Sequence, residues 1–210
     1  MQNYVITIAR GFGSGGKQVG LALAERLGIP CYWSQILSMA SDVSGISKEN
    51  FALADEKLRG SLIKRLKSAP NTDRVIAPSD KKFVSDDNLF SIQAQVIKEL
   101  ASTESCVILG KCANFILRDY DNVASVYIEA PRAACLKSVM DKLGVTESEG
   151  NSLISKTDKY RADYFKYYTG GRNWTDPVLY DLTLNSDRVG REKCVDVIEQ
   201  YIKIKFGAEI

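Results

Sequence analysis

Histidine is absent from the 210 residues. That removes His-dependent triads, imidazole general bases and most zinc sites in one step. Cys31, Cys106, Cys112, Cys135 and Cys194 are odd in number and never spaced C-x-x-C, which argues against a disulfide framework and a zinc knuckle. Each reads as a small buried hydrophobe in a reducing compartment. A large surplus of either charge is lacking as well, the formal net charge being +2, so sequence-independent binding to nucleic acid is not indicated. No apolar run approaches the roughly 20 residues that cross a bilayer, and no cleavable leader pattern opens the sequence. The expectation is a soluble, cytoplasmic protein with neither nucleic-acid nor membrane partners. Its oligomeric state is not legible.

What is present points to one α/β domain over residues 1–210. The hydrophobic share of 45% suffices for one substantial core. "YVITIA" at 4–9, "CVILG" at 106–110 and "VASVYIE" at 123–129 are apolar on both parities, as in strands covered on both faces. "LYDLTL" at 179–184 reads as a last strand. Helical spacing recurs in Val19, Ala22, Leu23 and Leu27, again in Leu136, Val139, Met140 and Leu143, and finally in Val195, Ile198, Ile202 and Phe206. "ANFIL" predicts a short helix, and Thr146 with Glu149 a capping box. Strands alternating with helices imply a mainly parallel sheet with helices on both faces, a three-layer arrangement. Two stretches interrupt the alternation and read as insertions: one of charged, helix-favouring sequence within about 37–70, followed by the loop "SAPNTDRVIAPSDKK", and one basic and tyrosine-rich within about 150–172.

The chemistry concentrates in "ARGFGSGGKQVG" at 9–20. Gly11 to Lys17 reads G-x-x-x-x-G-K, while Gly11, Gly13 and Gly16 also read G-x-G-x-x-G. Both patterns gather backbone amides at the start of a helix, where they attract an anion. A dinucleotide site needs a carboxylate about 20 residues further on, and the corresponding stretch, "IPCYWSQ", has none. A phosphate loop needs the lysine that Lys17 supplies. Gln18 stands where a hydroxyl usually ligates Mg²⁺. Its amide carbonyl, or Ser14 from another direction, can substitute, and the metal ligands stay open.

Together, "ITIARGFGSGG", "LAERLGIP", "VILGKCANFILRD", "VYIEAP", "LISKTDKYRADYFKYYTG" and "YDLTLN" resemble the cytidylate-kinase-like proteins of bacteria, relatives of the P-loop nucleoside monophosphate kinases. The matching stretches span nearly the whole chain. The resemblance implies a P-loop NTPase-like fold with an acceptor-binding insertion and a lid, ATP and Mg²⁺ as cofactors, and transfer of the γ-phosphoryl group to a nucleoside monophosphate, CMP or dCMP above others. It implies that Gly11, Gly13, Ser14, Gly15, Gly16, Lys17 and Gln18 hold the donor phosphates, that Lys111 and Asn114 of "GKCAN" meet the acceptor, and that Lys156, Lys159 and Arg161 belong to the lid. Lys17 and Arg161 are the expected catalytic cations. The tyrosines of the lid, Tyr160, Tyr164 and Tyr167, fit core packing better than ligand contact by their helical spacing.

Several positions depart from the family's pattern. Lys111 stands for an arginine and keeps the charge without the bidentate fork. Cys135 and Ser138 replace arginines that approach the donor, Gly11 a larger residue, and Lys17 an arginine. A degenerate, nucleotide-binding module and a P-loop kinase of another small metabolite are the competing readings. A dinucleotide oxidoreductase ranks last. Asp55, Glu56, Arg59 and Lys64 read as a hydrated helix face.

Overall fold

The computed structural model describes residues 3–57 and 72–207. Five parallel strands form one sheet in the order β2-β3-β1-β4-β5: β1 (Val5–Arg10), β2 (Cys31–Tyr32), β3 (Cys106–Leu109), β4 (Val123–Glu129) and β5 (Leu182–Asn185). The central strand β1 pairs Val5 with both Cys106 and Val123. Val5, Ile6, Thr7 and Ile8 are all buried, because helices cover both faces of the sheet and neither parity can be polar.

On one face, α1 (Gly16–Leu27) and α9 (Arg191–Phe206) pack together over Ile6, Ile8, Leu109 and Ile128. On the other lie α2 (Gln35–Ser44), α3 (Lys48–Lys57), α4 (Asp86–Thr103), the short α5 (Ala113–Ile116) and the inner side of α7 (Glu147–Tyr168), which share a core that includes Ile36, Phe51, Phe90, Ile97 and Tyr168. Phe90 and Tyr168 stack with ring centroids 3.8 Å apart, a contact that ties α7 to α4. The third layer implied by the alternation is therefore present. Two further helices, α6 (Arg132–Leu143) and α8 (Ser186–Val189), border the C-terminal ends of the strands.

The residues explain these elements locally. Gly28 and Gly144 close α1 and α6 in the left-handed conformation, which a residue without Cβ adopts at no steric cost. Thr146 and Glu149 form the expected capping box at the start of α7. The 150–172 stretch is largely one continuous helix packed on the core through Ile154, Tyr164, Phe165 and Tyr168. The last strand begins three residues later than its sequence suggests, because Asp176 caps a 3₁₀ turn at Pro177–Leu179 before the chain extends. Of the 37–70 stretch, residues 37–57 build α2 from Leu37 on and α3; residues 58–70, with Arg59 and Lys64, lie outside the described residues, as do the side chains of Asp55 and Glu56.

After β1 the chain moves outward to α1 and β2 on one side, and β4 lies on the other. The end of β1 is thus a topological switch point, where a crevice opens at the carboxyl edge of the sheet. Residues 11–16 occupy it.

Candidate functional site

The glycine loop is shaped by its neighbours. A Cβ on Gly11 would lie 2.1 Å from the Glu129 carboxylate, and one on Gly13 would meet the Cys135 carbonyl at 2.6 Å. Gly13 and Gly15 also have φ of 89° and 83°, where side chains are strained. Gly15 then caps α1. The buried Ser14 hydroxyl lies 2.9 Å from the Gly11 carbonyl and 3.1 Å from that of Ile128, and it accepts from the Gly16 amide at 3.4 Å. These contacts hold the loop closed. Among the described residues, the amides of Gly13, Gly15, Lys17 and Gln18 make no hydrogen bond to the chain. These orphan donors at a helix start are what an anion completes.

Cations and carboxylates from distant segments gather around the loop. Asp158 of α7 accepts from the Phe12 amide at 2.8 Å. Arg161, one turn on, donates to the Arg10 carbonyl at 2.9 Å and to Asp158 at 3.3 Å, with its guanidinium 5.7 Å from the centre of the Phe12 ring. Burial lowers the Arg161 pKa, opposed by Asp158. Arg10, the last residue of β1, runs under Gly110, where a Cβ would lie 2.3 Å from its guanidinium. Burial, and then the neighbouring Arg161, push the Arg10 pKa down to about 10. Among the described residues no carboxylate pairs with Arg10. Glu129, ending β4, accepts from the Tyr127 hydroxyl at 2.6 Å and the Ala130 amide at 3.0 Å. Burial, and then this carboxylate, raise the Tyr127 pKa.

Two cavities flank the loop. The first, about 420 Å³, opens between the ends of β1 and β3, α2 and α7. Arg10, Lys111 and Arg161 supply its charge, and Trp33, Tyr160 and Trp174 stand in its aromatic wall. Its turn is unusual: Gly110, Lys111 and Cys112 all have positive φ, of 77°, 58° and 55°. Two successive side-chain-bearing residues in that region store strain of about 1–3 kcal/mol each, a cost tolerated where a site needs the geometry. The second cavity, about 530 Å³, lies on the other side of the loop, bordered by Gly13, Gln18, Lys137, Ser138, Asp187 and Arg191.

The residues expected from the sequence fall into three groups. Gly11 to Gln18 form the loop, Arg161 reaches it, and Lys111 and Asn114 line the first cavity. Asn114 is buried, and Tyr180, whose hydroxyl donates to the Trp174 carbonyl, lines the same cavity. Lys17 points away from the loop, its ammonium 4.5 Å from the centre of the Trp33 ring. Lys156 and Lys159 sit on the outer side of α7, Lys159 paired with Asp163 at 2.7 Å, because a helix turning at 100° per residue cannot present 156, 159 and 161 to one neighbour. Tyr164 and Tyr168 are core residues, and Tyr160 borders the cavity. The pattern missed Arg10, Trp33, Glu129, Asp158 and Arg191. Of these only Arg10 carried a local signal, as a charge at the end of an apolar strand beside the glycines.

A parallel sheet in this order, with a glycine loop opening the helix after its central strand, defines the P-loop kinase-like class. Residues 5–188 match the cytidylate kinase-like family, and the chain belongs to it. Among solved structures, an uncharacterized protein from Eubacterium ventriosum is similar at 28% identity and a TM-score of 0.69, with 96% of this chain and 99% of that one covered. A shikimate kinase from Bacteroides thetaiotaomicron shares the fold at 13% identity and a TM-score of 0.52, covering 95% and 98%. An unliganded sugar kinase from Janibacter sp. HTCC2649 does so at 14% and 0.52, covering 96% and 95%. Among curated proteins none matches significantly. No helix among the described residues is long and apolar enough to cross a membrane.

Proposed function

We propose that this protein transfers the γ-phosphoryl group of ATP to a nucleoside monophosphate, CMP or dCMP above others, and that its partners are these small molecules. The observation that carries the reading is the pair Arg10 and Arg161 at the junction of the glycine loop and the first cavity. Burial, and then the charge of Arg161, disfavour the Arg10 cation, so an arriving anion is strongly favoured there, and each guanidinium offers a bidentate fork to phosphate. The second cavity, across the loop, suits the donor nucleotide. Its triphosphate would then cross the orphan amides towards the acceptor.

Phosphoryl transfer needs little covalent chemistry from the chain. An oxygen of the acceptor phosphate attacks the γ-phosphorus as the bond to the β–γ bridging oxygen breaks, and ADP leaves with that electron pair. The attacking oxygen is already anionic, so no general base is required, and the lack of histidine is no obstacle. Lys17, Arg10 and Arg161 neutralise the charge on the migrating group. Gln18 offers a carbonyl, and Glu129 a carboxylate, to a Mg²⁺ that would be carried in on the triphosphate. Such an ion draws most of its ligands from phosphate and water, and when bound it would polarise the phosphoryl oxygens.

The aromatic wall of the first cavity would accept any flat ring that carries an anion, which keeps a P-loop kinase of another small metabolite as the second reading. A coupled ADP-release assay over all common ribo- and deoxyribonucleoside monophosphates, with and without Mg²⁺, decides between them. Turnover greatest with CMP or dCMP is expected. ATP bound without ADP release on any acceptor would mean a degenerate binding module.

A further inference from the structure

We propose that Arg191 is a donor-binding residue: its guanidinium, delivered from the start of α9, engages the nucleoside triphosphate in the second cavity. This rests on the kinase reading and adds to it the residue that holds the donor from outside the glycine loop.

The placement is specific. Arg191 lies so close over Gly15 that a Cβ there would stand 2.3 Å from its Nε. The glycine at 15 therefore serves two ends, the left-handed turn and the passage of this side chain. One terminal nitrogen of Arg191 donates to the Ser138 hydroxyl at 2.9 Å, which fixes the plane of the guanidinium and leaves its other donors for a ligand. Lys137 borders the same cavity, and Asp141 and Asp187 are the carboxylates on its rim.

Arg191 is also held rigidly relative to the loop. Ser186, at the start of α8, places its hydroxyl 2.5 Å from the Ser14 carbonyl and 3.2 Å from that of Glu129, so α8 is fastened to the loop itself. Beyond it, α9 packs on α1 through Cys194, Val195, Ile198 and Ile202. Arg26 of α1 also pairs with Asp196 and Glu199 of α9. The helix that starts from the glycine loop and the helix that carries Arg191 thus move as one body. A cation held at fixed distance from orphan amides is preorganised for a polyanion.

The test is calorimetric titration of ATP, without acceptor, into the wild type, Arg191→Ala, Arg191→Lys and Ser138→Ala. Arg191→Ala is expected to weaken ATP binding about tenfold or more, and Arg191→Lys to recover part of the loss. Ser138→Ala should weaken it less, and CMP binding should stay unchanged in all three. In steady state the KM for ATP should rise while that for the acceptor does not. Arg191 is exposed, so the thermal midpoint should hold. An Arg191→Ala protein that binds ATP as the wild type does overturns the assignment of Arg191 alone. A wild type that binds no ATP overturns both this assignment and the donor reading beneath it.

Discussion

Asp158 and Phe12, 146 residues apart, are joined by a 2.8 Å hydrogen bond from the Phe12 amide to the Asp158 carboxylate. α7 thereby places its own anion on the glycine loop. A triphosphate entering the loop would meet that negative charge, which Arg161 and, more weakly, Arg132 partly offset. Asp158→Asn keeps an acceptor for the amide and removes the charge. ATP affinity measured by calorimetry should rise several-fold, since one unit charge a few ångströms away is worth about 1 kcal/mol even in a wet site. Weaker binding would show that the carboxylate itself assists the donor.

The same residue makes a pH prediction. Burial raises the Asp158 pKa, against the opposing pull of the Phe12 amide and Arg161. An acid whose folded value exceeds its unfolded value of about 3.9 favours folding when protonated. That contribution is full below about pH 4 and is lost as pH rises through the raised value. Asp158→Asn stays neutral throughout. At neutral pH its thermal midpoint should exceed that of the wild type, and the gap should close on acidification.

Gly11 and Glu129 form a steric pair. Gly11→Ala would drive a methyl into a carboxylate that the Tyr127 hydroxyl and Ala130 amide both hold, and is expected to destabilise by about 1–3 kcal/mol. Glu129→Ala opens that space. In a double-mutant cycle on urea denaturation, the second change should recover at least about 0.5 kcal/mol of the first. Additive losses would mean that the strain lies elsewhere.

How far such relationships can be read from sequence depends on their range. The unit of β1, loop and α1 was legible because an apolar run, spaced glycines and a helical period follow one another within 24 residues. The bounds of β4 agree with "VASVYIE". By contrast β2 is two residues long and has no periodicity to detect. The 18 residues of α4 escaped the reading although Ser85 caps it: buried residues run almost without break from Asn88 to Ala101, so its pattern lacks the polar face that marks a surface helix. The glycine loop stands out by its own spacing, and Lys111 and Arg161 by the resemblance of their segments to the family. Asp158, Glu129 and Arg191 acquire meaning only through contacts spanning over a hundred residues, which no local spacing encodes.

Arg10 is expected to serve function against stability. Its charge is maintained at neutral pH although burial lowers its pKa to about 10. A base with a depressed value costs stability while charged, and the cost is relieved only as pH rises past that value. Arg10→Met should therefore unfold at a temperature equal to or above the wild type, by up to about 1 kcal/mol of added stability that is constant from pH 6 to 8. The acceptor KM should rise at least tenfold. A destabilised variant with normal acceptor KM would assign Arg10 to the scaffold.

Lys17 stands in the loop motif, yet its ammonium rests 4.5 Å from the centre of the ring of Trp33, a residue that lines the first cavity. An exposed cation–π contact of this kind is worth about 0.5–1 kcal/mol. Charge stabilisation of a migrating phosphoryl group is worth several times more, so nucleotide should draw the ammonium off the ring. Tryptophan fluorescence, which arises from the two indoles Trp33 and Trp174, should change on ATP addition, and Trp33→Leu should abolish most of that change while binding ATP slightly more tightly. Lys17→Ala, with its side chain exposed, should keep its thermal midpoint and lose on the order of 10²–10³ in kcat. Near-normal turnover in Lys17→Ala would mean that Arg10 and Arg161 alone carry the charge of the transferred group.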